Sequence, residues 1–184
     1  MERLEQSHGE SHGVTIQWHS FELRPRHAPP ISADYRAKIE AGRPRLYAVA
    51  REQYGLEMNP GPFGFDSRPA LIGAKYAESQ GVGPAYHAAV MKAYWLDAKA
   101  IDDLDVLTDI AVAVGLDRNA FQQALRTPIY DDQVQADIDQ AYAYGINGVP
   151  GMVFVDKYLV SGAQPYEVLC QAVEQISGEL DKDQ

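Results

Sequence analysis

Residues 144–168 leave the chain few choices. Gly145 follows an apolar-periodic run and suits the left-handed position just past a helix, while Pro150 forbids helix and biases Val149 to extended geometry. Met152-Val153-Phe154-Val155 is short, apolar and β-branched, and Tyr158-Leu159-Val160 repeats the pattern after Asp156-Lys157. That spacing predicts an antiparallel hairpin with a two-residue turn, although the turn pair lacks the favoured glycine. Ser161-Gly162-Ala163 leads to Gln164-Pro165, and proline at a first helical position gives up only a hydrogen bond that would be unmade anyway. A C-terminal helix is therefore predicted from there. A helix stop, a constrained loop, a hairpin and a helix start follow one another, and the candidate site is expected in this run.

Upstream, residues 14–21 alternate apolar and polar, so Val14, Ile16 and Trp18 share one face of a predicted strand and His19 falls on the other. Residues 22–30 are proline-rich and extended. Residues 1–13 read as the end of a helix that frays into a glycine-broken loop. His8 and His12 stand four apart there. The zincin arrangement wants its glutamate beside the first histidine on a continuous helix, and Gly9 intervenes, so a solvated loop and no metal site is expected.

The middle of the chain is helical in pattern. Residues 33–55 are interrupted by Gly42 and Pro44; later runs carry the stripes Tyr86, Val90, Ala93, Tyr94, then Leu107, Ile110, Ala111, Val114, then Phe121, Ala124, Leu125, then Val134, Ile138, Ala141, Tyr142. Asp102 or Asp103 and Asp117 are predicted caps. Each stripe needs a partner surface, so these helices are expected to form a bundle. Between the first and second runs, Asn59-Pro60-Gly61-Pro62-Phe63-Gly64-Phe65 is a rigid, turn-rich loop. The expected organisation is α/β, a sheet domain of residues 1–30 and 145–184 interrupted by a helical insertion over 31–144.

Net charge is −10 over 184 residues and the basic residues form no block, which argues against nucleic acid or an anionic membrane as partner. No apolar run approaches the ~20 residues of a spanning helix, and the first residues hold no signal-peptide core, so a cytoplasmic location is expected. A single cysteine, Cys170, excludes an intrachain disulfide and a two-thiol cycle within these residues. Its place beside the stripe of Leu169, Val173 and Ile176 favours a packing role, since reactive thiols need an exposed, electropositive setting.

The order glycine-valine-proline at 148–150, hairpin, Ser161-Gly162-Ala163-Gln164-Pro165 and helix resembles the C-terminal half of DsbA-like thioredoxin-fold proteins, most closely FrnE-type thiol-disulfide oxidoreductases. The resemblance implies a thioredoxin-like, DsbA-type sheet domain interrupted by a long all-helical insertion. It implies a cis Val149-Pro150 bond, with Gly148, Val149 and Pro150 meeting an extended peptide or thiol-containing substrate through the backbone of Val149. It also implies that the loop of Phe63 and Phe65 lies near the active site, where both rings would floor a groove; a role capping the helical core is the favoured alternative.

Family members begin with a buried strand and a Cys-x-x-Cys motif at a helix N-terminus, where dipole and amides stabilise the thiolate. This chain resembles them from inside that helix onward, so no residue inherits a catalytic cysteine's role and no cofactor is implied. The first central strand is expected to be missing from between residues 14–18 and 152–155. The chain is accordingly expected to be N-terminally truncated, redox-inactive as written, and poorly soluble, molten or dimeric through the unpaired sheet edges. Three functions stay open: a thiol-disulfide oxidoreductase, a relative of the glutathione-dependent 2-hydroxychromene-2-carboxylate isomerases, and a non-catalytic thioredoxin-fold module that binds peptides.

Overall fold

The computed structural model describes residues 2–25 and 27–181. The chain forms two compact units, residues 1–23 with 137–184 and residues 24–136.

In the helical unit, α2 (Ala33–Tyr54), α3 (Arg68–Ser79), α4 (Gly83–Trp95), α5 (Leu104–Ala113), α6 (Arg118–Ala124) and the first turns of α7 (Pro128–Ala143) follow in order. The starts of α2, α5 and α6 are set by side chains that accept from otherwise unpaired amides. Ser32 accepts from the Tyr35 N–H at 3.2 Å, Asp103 from Asp105 at 2.8 Å, and Asp117 from Ala120 at 2.8 Å. The expected break at Gly42 and Pro44 does not occur. Pro44 lies inside one 22-residue helix, and the donor it lacks is offset by Ser32 at one end and at the other by Gly55, whose φ of +65° lets its N–H reach the Arg51 carbonyl at 3.1 Å. The core of this unit is Ala77, Tyr86, Leu107, Ala111 and Phe121, each fully buried. Every predicted stripe of α4, α5 and α6 contributes to it.

The other unit is built on α1 (Glu2–His12), the hairpin β1 (Gly151–Phe154) and β2 (Tyr158–Ser161), and α8 (Tyr166–Leu180). Contrary to the frayed loop expected after Gly9, α1 is unbroken to His12, and Gly13 ends it at φ +64°. Interior glycine weakens a helix by about 1 kcal/mol. Burial of Leu4 against Leu169 and Val173 of α8, on the order of 1.5–3 kcal/mol, offsets that.

The hairpin pairs Met152 with Val160, Val153 with Leu159 and Phe154 with Tyr158. Val155 was expected in the strand and sits instead in the turn, at φ +46° beside Asp156 at +56°, with the Lys157 N–H on the Phe154 carbonyl at 3.0 Å. Positive φ at both central residues matches the strand twist, so the turn geometry wins over the β preference of valine.

The predicted strand at residues 14–21 is likewise corrected. The sheet of the described residues is two-stranded, and this segment joins no ladder. Its alternation holds in part: Val14 and Ile16 are half-buried and Ser20 and Glu22 are buried, but Trp18, expected on the same face, is 45% exposed, with its neighbours Gln17 and His19 exposed too. What replaces the ladder is side-chain acceptors. The Ile16 N–H donates to Glu5 Oε1 at 3.0 Å, and the Ser20 N–H to Asp137 Oδ2 at 2.6 Å.

Candidate functional site

The C-terminal turns of α7 lead into the site. Gly145, at φ +74°, donates to the Tyr142 carbonyl at 2.9 Å, and Ile146 N–H reaches back to the Ala141 carbonyl at 2.8 Å, closing the helix. Ile146 then packs beneath the backbone of Gly151: a Cβ on that glycine would stand 3.2 Å from Ile146 Cγ2. Asn147, Gly148 and Val149 bridge the two anchors.

The Val149–Pro150 peptide bond is cis. The Pro150 carbonyl accepts from the Gly162 N–H at 2.8 Å, which extends the hairpin's bonding by one step and fixes the loop on the β2 side. Val149 itself is 56% exposed. Among the described residues its N–H and C=O enter no hydrogen bond, and a side chain on Gly148 would meet open space. The far end of the hairpin is tied back by the Tyr144 hydroxyl, which donates to Asp156 Oδ1 at 3.1 Å; that hydrogen bond raises the phenol above its ordinary value.

A second carboxylate, on α7, anchors residues 19 and 20. Asp137 of α7 takes the Ser20 N–H on one oxygen and lies 2.9 Å from His19 Nδ1 on the other, and Phe21 stacks edge-on against Tyr142 at 5.8 Å. No sequence pattern pointed to this pair, because the partners are 118 positions apart.

Cys170 lies on α8, half-buried, packed against the cluster of Leu4, Leu169 and Val173. On the same unit the Arg3 guanidinium lies 3.9 Å over the Tyr166 ring. One thiol can form a mixed disulfide but cannot resolve it, so these 184 residues contain no dithiol couple.

Phe63 and Phe65 both belong to the helical unit. Phe65 packs into its core, 4.6 Å from the Tyr94 ring. Phe63 receives the guanidinium groups of Arg36 and Arg43 at 5.0 and 5.7 Å and lines a cavity of about 160 Å³ with Ile39, Leu46, Tyr94 and Trp95. The loop that leads into the two phenylalanines is strapped to α4, with Gly61 N–H on the Tyr94 carbonyl at 2.7 Å. Gly61 is required there, since a Cβ would meet the Lys99 carbonyl oxygen at 2.2 Å.

Residues 1–174 match the family described as the DSBA-like thioredoxin domain. Among solved structures, a probable DsbA oxidoreductase from Streptomyces coelicolor superposes with a TM-score of 0.81 at 29% identity, over 97% of this chain and 82% of that one. An uncharacterised Bacillus subtilis protein, YwbO, is 29% identical over 87% of this chain and 81% of its own length. The thiol:disulfide interchange protein DsbA of Azotobacter vinelandii is 30% identical over 54% of this chain and 50% of its own. The 2-hydroxychromene-2-carboxylate isomerase of Pseudomonas putida is 26% identical over 80% and 74%.

Proposed function

This chain belongs to the DSBA-like thioredoxin domain family, and from that premise we propose that it acts in thiol-disulfide exchange of the FrnE type by holding the substrate. In this reading the loop of Gly148, Val149 and Pro150 aligns an extended, thiol-containing peptide by bonding to the backbone of Val149. The observation that carries it is the pairing state of Val149, exposed and with both backbone groups unengaged among the described residues at the end of a hairpin. Such groups are a template for strand addition. The run Ser161-Gly162-Ala163-Gln164-Pro165 supports the FrnE-type branch. A single cysteine without a disulfide suits a reducing compartment, which supports the cytoplasm. The open hairpin supports self-association into a homodimer when no peptide is bound.

A backbone-selective variant tests the reading. Val149→Pro removes the donor while Val149→Ala keeps it, so titration of a cysteine-containing peptide followed by amide chemical shifts should give near-unchanged affinity for the alanine variant and a loss of about 2–10-fold for the proline variant. Equal affinities for both would refute backbone recognition at Val149. The Pseudomonas putida relative supports a second reading, an isomerase of the 2-hydroxychromene-2-carboxylate type. Turnover of that substrate in the presence of glutathione, with no effect of Val149→Pro on peptide binding, would favour it.

A further inference from the structure

The sequence holds a short repeat, Ser7-His8-Gly9 and Ser11-His12-Gly13, offset by four residues. In a frayed loop this offset would mean nothing. In the unbroken α1 it places both histidines on one face, one turn apart. Their ring centroids are 5.4 Å apart with a tilt of 42°.

The serines fix the rings. Ser7 Oγ lies 2.7 Å from His8 Nδ1, and Ser11 Oγ lies 2.7 Å from His12 Nδ1. Ser7 also reaches the Arg3 carbonyl at 2.8 Å and the Tyr166 hydroxyl at 2.7 Å. A hydroxyl has one proton, and a carbonyl oxygen can only accept, so Ser7 donates to Arg3 and must accept from the other two. His8 is thereby held with its proton on Nδ1 and its lone pair on Nε2, the tautomer that binds a metal with an outer partner orienting the ring.

We propose that His8 and His12 form a site for a divalent first-row transition metal ion, bound through the two Nε2 atoms. Two imidazoles coordinating one ion with bonds of about 2.0–2.1 Å have centroids roughly 4.5–5 Å apart. The observed 5.4 Å needs only a small closing movement of partly exposed side chains. Imidazole ligands exclude calcium and magnesium, which take oxygen, and the order of affinity should be copper(II) above nickel and zinc. Among the described residues no cluster of three or more metal-ligating side chains exists, so water completes the coordination and positions stay open. A net charge of −10 favours any cation.

The test uses the untagged full chain titrated with copper(II), nickel(II) and zinc(II) chlorides by calorimetry, with histidine resonances followed by NMR. One ion per chain is expected, with affinity falling more than about tenfold in His8→Gln and in His12→Gln, several-fold in Ser7→Ala, and not at all in the control His27→Gln. Copper should broaden the ring signals of His8 and His12 first. Without metal the variants should melt as the parent does, since glutamine is no worse a helix former than histidine; with metal only the parent should gain stability. Unchanged binding when His8→Gln and His12→Gln are combined in one chain would place the ion on carboxylates and overturn the proposal, as would the absence of saturable binding.

Discussion

Gly73 of α3 lies against α4, and its replacement sets two effects against each other. Helix propensity alone predicts that Gly73→Ala gains about 1 kcal/mol. The new Cβ, however, would stand 2.3 Å from the Tyr86 hydroxyl, 2.9 Å from Phe121 Cζ and 3.0 Å from Tyr86 Cζ. Tyr86 and Phe121 are fully buried, with rings 5.7 Å apart, so neither has room to turn outward. Overpacking of this kind costs about 1–3 kcal/mol, and contacts this short belong at the upper end. A net loss of about 1–2 kcal/mol follows, or a melting point lower by roughly 2–8 °C for a chain of this size.

The Tyr86 hydroxyl, buried with no hydrogen-bond partner among the described residues, makes the test sharper. Tyr86→Phe removes an unsatisfied group and the shortest contact together, so it should stabilise by about 1 kcal/mol and should shrink the cost of Gly73→Ala. Urea unfolding of the parent, both single variants and the double variant gives the coupling. A neutral or stabilising Gly73→Ala, or a cycle additive to within about 0.3–0.5 kcal/mol, would refute the packing argument. Burial also raises the phenol of Tyr86 above its ordinary value. A raised folded-state value means that the native state favours the protonated form, so stability is full below about pH 10 and falls above it. Tyr94 is raised by burial too, so Tyr86→Phe should flatten the alkaline decline without abolishing it.

At Val155, held at φ +46° in the hairpin turn, Val155→Gly should stabilise by about 0.5–1 kcal/mol because a β-branched residue is disfavoured there; a higher urea midpoint checks it, and a lower one would place the valine side chain in an unrecognised contact. Asp137→Ala leaves the Ser20 N–H without its acceptor and should cost about 1–3 kcal/mol, with proteolysis of residues 14–23 rising first. The purified chain should show no turnover in insulin reduction, since Cys170 is its one thiol; turnover that survives Cys170→Ser would show that the chemistry lies elsewhere. Cys170, half-buried, should react with thiol reagents more slowly than free cysteine and accelerate in urea.

The helical bundle was readable because its information is local. Period-3.6 stripes and side-chain caps act within one or two turns, and Asp103, Asp117 and Gly145 stand where their residue types predict. The errors share a different origin. Gly9, Gly42 and Pro44 are breakers by propensity, worth about 1–3 kcal/mol each. In α1 the burial of Leu4 at long range outweighs that penalty. In α2 the capped ends at Ser32 and Gly55 do so. Alternation at residues 14–22 picked out Val14 and Ile16 as inward positions but misplaced Trp18, which is exposed. It could not say whether a neighbouring strand or the carboxylates of Glu5 and Asp137 would take the amides.

The candidate site divides along the same line. Gly148, Val149 and Pro150 are legible through the family resemblance at residues 148–165; what glycine and proline announce by themselves is backbone geometry, not a role. The Ser7–His8–Tyr166 contacts could not be read from sequence, since 159 positions separate Ser7 from Tyr166, and the sequence argument against the histidine pair rested on a helix break that tertiary packing removes. If Leu4 is what keeps α1 continuous, then Leu4→Ala should loosen both at once, costing about 2–5 kcal/mol in stability and lowering copper affinity although it touches neither histidine. Loss of stability with unchanged metal affinity would mean that the His8 and His12 rings are positioned by their serines alone, and that the helix is not the coupling element.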